Sequence, residues 1–202
     1  MKVKAFSGLV PSPGNAERIA SVPYDVVNTE EARALAEGNP DSFLHVVRAE
    51  IDFPEGTDPF GDEIYQKAKE NFGSLQEKSL LVREPEPCVY LYRQIMNGHS
   101  QVGVTLVCHI DDYEEGLIKK HEKTRPDKEN DRTRLTDELS ANTGPVFLTY
   151  GEQSEIDAFV EFWMAANQAE INFVDPVGVR HTVWRIRESD AAPILDCLKQ
   201  VP

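Results

Sequence analysis

The residues best placed to do chemistry form one run, Lys119 to Arg134, reading KKHEKTRPDKENDRTR. It holds seven of the chain's 21 cations (Lys119, Lys120, Lys123, Arg125, Lys128, Arg132 and Arg134) against four acids, while the rest of the chain carries 14 cations against 31 acids. Convergent Lys and Arg on an acidic body suit capture of a small anion: Arg presents a planar fork to phosphate or carboxylate, and Lys adds a mobile point charge. His121 exchanges a proton near neutrality, and Glu122 or Asp127 can act as base or metal ligand.

The elements that must position these groups follow from Pro126. It ends a loop over Lys119–Arg125, and Asp127 is expected to cap a helix from Lys128 onward, whose exposed N–H groups also favour an anion. On that helix Lys128, Asp131 and Arg132 share a face at i, i+3 and i+4. A solvated charged face produces the same pattern, and spacing alone does not separate the two readings. Other pocket candidates are Tyr24 and Asp25, in an extended Pro23-Tyr24-Asp25 segment, together with Asn39 and His45.

The remaining chain reads as α+β, with a mixed, largely antiparallel sheet, a β-hairpin over 89–110 and flanking helices. Lys2–Val10 is expected as an opening strand, and Asn28 or Thr29 as the cap of a helix to Ala36. Phe43–Arg48, rich in β-formers, is expected as a strand containing His45. Asp58 and Pro59 are expected to open a helix burying Ile64, Ala68, Phe72 and Leu75. Val89–Met96 and Gln101–Ile110 flank Asn97-Gly98, the strongest local hairpin signal. Pro145–Tyr150 and Val183–Ile186 read as strands. A Ser154/Asp157 capping box is expected to start a helix carrying Ile156, Phe159, Val160 and Trp163, and a last helix runs from about Ala192 to Lys199. One domain over 1–202 is the expected organisation, with no visible linker.

Composition removes several function classes. With 202 residues, 40% hydrophobic and a formal charge of −14, the chain supports a packed core and repels phosphate backbones, so nucleic acid is a disfavoured partner. No apolar run reaches the roughly 18 residues of a membrane span, and the first ten residues do not form a signal peptide, so a soluble globular protein is expected, and three cysteines without a disulfide framework make a reducing cytoplasm the expected location. Cys88, Cys108 and Cys197 have no metal-ligand spacing and read as small core hydrophobes. No GxSxG, P-loop, GxGxxG, HExxH or EF-hand pattern occurs.

The strings VPYDVVNTEEARALAEGNPDSFLHVVRAEIDFPEGTDP, YLYRQIMNGHSQVG, IKKHEKTRPDKENDR and TGPVFLTY resemble an uncharacterised prokaryotic family often labelled as related to the chromosome-partitioning protein ParB. The resemblance implies distant kinship with ParB, sulfiredoxin and free-serine kinases, whose shared fold handles nucleotides. It also implies that the chain is the N-terminal part of a longer member, about twice this length, that carries a further Asp-Gly-His-His-Arg signature absent here. The matching segments are Pro23-Tyr24-Asp25, Asn39-Pro40 with Ser42 and His45, and Lys119–Lys128.

Two functions follow as expectations. In the first, the chain is the nucleotide- or phosphate-binding part of a small-molecule phosphotransferase using ATP or ADP with Mg²⁺. Lys119, Lys120, Lys123, Arg125, Lys128 and Arg132 then hold phosphate, and His121, Glu122, Asp127 or Asp25 serve as base or metal ligand. In the second, a non-catalytic module docks an acidic partner through the same cations.

Overall fold

A computed structural model describes residues 1–121 and 123–201. In chain order the strands are β1 (Val3–Lys4), β2 (Leu9–Pro11), β3 (Leu81–Arg83), β4 (Cys88–Met96), β5 (His99–Thr105), β6 (Val107–Cys108), β7 (Ile171–Val174) and β8 (Arg180–Arg187). The helices are α1 (Ala16–Ile19), α2 (Thr29–Ala36), α3 (Leu44–Val47), α4 (Asp62–Glu77), α5 (Ile110–Glu114), α6 (Pro126–Leu139), α7 (Ser154–Ala166) and α8 (Glu188–Lys199), with a 3₁₀ turn at Ala49–Asp52. The protein is α+β, and its chain divides into two compact units. None of the described helices is long and apolar enough to cross a membrane.

The sheet unit comprises Met1–Glu17, Arg83–His121 and Leu148–Pro202, of which Pro202 is not described. Its sheet runs β5-β4-β8-β7, with every neighbouring pair antiparallel. Alternation along β4 sends Val89 and Leu91 to one face, where they meet Trp184 and Ile186 of β8. Ile156 and Val160 of α7 and Ile194 and Leu198 of α8 complete that core. Asn97 (φ 52°) and Gly98 (φ 78°) both take left-handed conformations, so the hairpin turns where the sequence indicated. Its outer strand starts at His99 and stops at Thr105, short of Ile110. Val107 and Cys108 instead pair with Lys4 and Val3, and Ile110 opens α5.

The helical unit comprises Arg18–Val82 and Glu122–Phe147. Asn28 caps α2 in a full capping box with Glu31. Arg33 of α2 donates to the Ile51 and Phe53 carbonyls, tying the 3₁₀ turn beneath it. Ala32, Ala36, Leu44, Val47 and Ile51 form its apolar centre, and α4 buries Ile64, Ala68, Phe72 and Leu75 as the spacing requires. Asp41, fully buried, is held by Arg18 and Lys78.

Several expectations give way. Phe43–Arg48 is not a strand: Leu44–Val47 is a helix, because the i, i+3 pair Leu44 and Val47 reaches the same apolar centre in a helix and would point to opposite faces of a strand. Asp58 does not cap α4. It accepts from the Phe60 N–H and closes a turn to Gly61, and the helix begins at Asp62. Lys2–Val10 breaks into β1 and β2. Ser154 is the first residue of α7 after Gln153, with no side-chain cap. Pro145–Tyr150 is coil: Pro145 has no N–H to give a ladder, and Val146 and Phe147 stand 80% and 75% exposed. The last helix starts four residues earlier than Ala192, with Pro193 inside it.

Candidate functional site

The α6 helix builds the site. Arg125, before a proline, is extended and stands at the cap position, and Pro126 takes the first helical position, where no N–H is needed, so Asp127 lies in the first turn and is not the cap expected of it. From there the 3.6-residue repeat lays Lys128, Asp131, Arg132 and Leu135 along one stripe. That stripe lines a cleft of about 180 Å³ within the helical unit. Facing residues are Tyr24 from the turn before α2, Thr29 at the start of α2, Arg48 and Glu50 from the entry and body of the 3₁₀ turn, and Tyr65 from α4.

Every charged group but one in this cleft is held by a partner. Asp131 is 9% exposed and accepts from the Tyr65 hydroxyl at 2.8 Å, and its other oxygen takes Arg132 Nε and Nη2 at 3.0 and 2.7 Å. Burial and the bond to Asp131 push the Tyr65 phenol up to about 12. The Arg132 guanidinium lies 4.0 Å from the Tyr24 ring centroid, a cation–π stack that fixes its plane. Across the cleft Arg48 Nη2 donates to Thr29 Oγ1 at 3.2 Å, and Thr29 Oγ1 lies 3.4 Å from Glu50 Oε1. Arg48 Nε is 3.0 Å from Glu50 Oε1 yet poorly aligned, and it is a buried donor without a hydrogen-bond partner. Lys128 forms no ion pair among the described residues and is half-buried. Three cations thus face two carboxylates, and the cleft carries a positive excess on an acidic chain.

The other expected site residues fall into two groups. In the helical unit, Lys123 and Arg125 are exposed, and Arg125 makes a forked pair with Asp127 at 3.2 and 2.6 Å. That fork, with the helix-start N–H groups, holds the Asp127 carboxyl below the usual carboxylate range, so the anion at this helix start is the protein's own. Asp25 is exposed. Asn39 and His45 work on the backbone: Asn39 donates to the Arg18 carbonyl at 2.7 Å, and His45 lies between the Asp52 carboxylate (2.6 Å) and the Asn39 carbonyl (3.2 Å). In the sheet unit, Lys119, Lys120 and His121 are exposed, and Lys120 sits 4.8 Å over the Tyr113 ring. The role expected of Glu122 lies outside the described residues.

The family model described as Protein of unknown function (DUF1015) matches residues 3–201. The chain belongs to that family. No curated protein and no solved structure matches it. The chemistry of this DUF1015 chain must therefore be argued from its own side chains.

Thr29, Arg48, Glu50 and Tyr65 were not singled out by sequence. The usable signal was Arg48-Ala49-Glu50, a cation and a carboxylate interrupting the apolar segment Leu44–Ile51. A buried apolar run gives up two charges at a cost, and such charges are retained when paired. The sheet unit of the DUF1015 chain holds a further unforeseen cluster, in which His181 joins the Tyr92 hydroxyl (2.6 Å) to Asp175 (3.2 Å). Asp175 only accepts, so His181 Nε2 carries a proton, and burial pushes the Tyr92 phenol up rather than activating it. Burial likewise raises the thiols of Cys88, Cys108 and Cys197, of which Cys88 alone is fully buried while Cys108 and Cys197 are half-buried against the core, short of the core positions expected for all three. Among the described residues no group of three His, Cys, Asp or Glu side chains is placed to hold a metal ion.

Proposed function

We propose that the cleft of the helical unit binds the phosphate group of a small phosphorylated ligand, in a protein of the phosphotransferase class. The observation that carries this reading is the convergence of Arg48, Lys128 and Arg132 on one narrow cleft. Its volume, about 180 Å³, lies below the roughly 300 Å³ at which pockets begin to enclose drug-sized ligands, and suits a phosphate end group. Tyr24 and Asp131 orient the Arg132 fork before any ligand arrives, which lowers the ordering cost of binding.

Phosphoryl transfer depends mostly on positioning and charge stabilisation, and this cleft supplies both in kind. The nucleotide-handling relatives implied by sequence resemblance point to ATP or ADP, with Mg²⁺ carried by the nucleotide's own phosphates. Thermal unfolding with millimolar Mg-ATP, Mg-ADP or inorganic phosphate at fixed salt tests this. A ligand at 100 times its dissociation constant raises stability by about 2.7 kcal/mol, and no shift with any of the three contradicts the reading.

A second reading rests on the exposed Lys119, Lys120, Lys123 and Arg125, which face solvent as an acidic partner requires. It expects partner binding that weakens steeply with salt and ignores nucleotide.

A further inference from the structure

The α6 helix carries two neighbouring stripes. Lys128, Asp131, Arg132 and Leu135 line the phosphate cleft, and Asp127, Asn130, Asp131 and Arg134, the same spacing displaced by one residue, line a second cavity of about 270 Å³. The two cavities share Phe60, Tyr65 and Asp131, and the buried Tyr65–Asp131 hydrogen bond is common to the walls of both.

The second cavity differs in chemistry. Its accessible wall is mostly carbon, and Phe60, a large aromatic, is 48% exposed beside it. Arg134 is immobilised: its guanidinium lies 4.1 Å from the Tyr65 ring centroid, donates to the Phe60 carbonyl at 3.4 Å and pairs with Asp62. A guanidinium stacked on one face and tethered at its edge remains a flat surface for a second ring. Asn130, exposed on the same stripe, brings an amide that both donates and accepts.

We propose that this second cavity is a ring-binding subsite for a nucleobase, held by Phe60 and the Arg134 guanidinium with Asn130 at its polar edge. The inference rests on the phosphate reading of the adjoining cleft, since the walls that the two cavities share, Phe60, Tyr65 and Asp131, are what set ring and phosphate side by side for one ligand. The occupant is then a nucleotide rather than a sugar phosphate or free phosphate.

Titration calorimetry of the chain with Mg-tripolyphosphate, Mg-ATP and Mg-GTP separates the two claims. The proposal expects the better nucleotide to bind at least about 5-fold more tightly than tripolyphosphate, the lower end of one base–aromatic stack. Asn130→Ala, at an exposed helix position that borders the second cavity alone, reduces that advantage and leaves tripolyphosphate affinity unchanged. Phe60→Ala, at a residue that borders both cavities, lowers nucleotide affinity by more than it lowers tripolyphosphate affinity. Equal binding of nucleotide and tripolyphosphate, a nucleotide affinity unmoved by these substitutions, or a parallel loss for both ligands overturns the ring subsite. Phe60-dependent nucleotide binding with no tripolyphosphate binding keeps the ring subsite and removes the phosphate cleft. No binding of any probe removes both.

Discussion

The cationic run falls into two halves of similar composition and different fate. Before Pro126, Lys119, Lys120, Lys123 and Arg125 are exposed, and Arg125 spends its fork on its near neighbour Asp127. After it, the cations of the second half lie on a regular helix that packs along α4. There Arg132 and Arg134 stack on Tyr24 and Tyr65, and Asp131 is buried between hydroxyl and guanidinium. Charge density is therefore a poor guide to a site. Periodicity along a packed helix converts charge into a shaped surface, whereas the irregular segment leaves its cations exposed even where Lys120 meets the Tyr113 ring.

The largest expected effect falls on the buried member of the second half. Asp131→Ala strands the Tyr65 hydroxyl and the Arg132 fork, and should cost about 2–3 kcal/mol in urea unfolding. A loss below about 0.5 kcal/mol would mean that Asp131 is no more structural than a surface acid.

His45 gives the next effect, through the segment that leads into Arg48. Both its ring nitrogens face acceptors, Asp52 and the Asn39 carbonyl, so the doubly protonated ring satisfies both. The hydrogen bond to Asp52 raises the His45 pKa, against burial and the nearby Lys67 charge. Burial alone would raise Asp52, but its hydrogen bonds to His45 and Asn71 bring it below its ordinary value. A raised histidine stabilises fully below its unfolded pKa near 6.5 and loses that contribution as pH climbs through the folded value; a lowered carboxylate stabilises above its unfolded value near 3.8 and loses that contribution as pH falls. Wild type should therefore exceed His45→Asn by about 1–2 kcal/mol near pH 5, and the gap should narrow toward pH 8. A gap that widens with pH would reverse the assignment.

Tyr24→Leu keeps the apolar bulk and removes the ring face under Arg132, for an expected loss of about 0.5–1 kcal/mol in thermal unfolding. The first half supplies the smallest effect. Arg125→Ala should change stability by less than about 0.5 kcal/mol, since its pair with Asp127 is a surface one. A larger loss would give the loop an architectural role it lacks here.

What the sequence disclosed followed the range of the forces involved. The Asn97-Gly98 turn, the α4 stripe and the shared face of Lys128, Asp131 and Arg132 are set within a few residues, and all three were legible. Leu44–Val47 was misread because its β-branched residues favour a strand locally, whereas packing with Ala32 and Ala36 of α2 and with Ile51 decides for a helix. Arg48 and Glu50 reach the cleft through that misread segment, which hid half of the site. Pro145–Tyr150 looks like a strand, but no strand among the described residues pairs with it.

The most direct test sets the two halves against each other: Mg-tripolyphosphate affinity for wild type, Arg132→Ala and Arg125→Ala under one salt condition. Loss of charge-assisted hydrogen bonds of about 1.5–3 kcal/mol predicts a fall of roughly 10- to 100-fold for Arg132→Ala, and Arg125→Ala should stay within about 2-fold of wild type. Equal losses for both, or a greater loss for Arg125→Ala, would contradict the account and return the anion to the exposed loop.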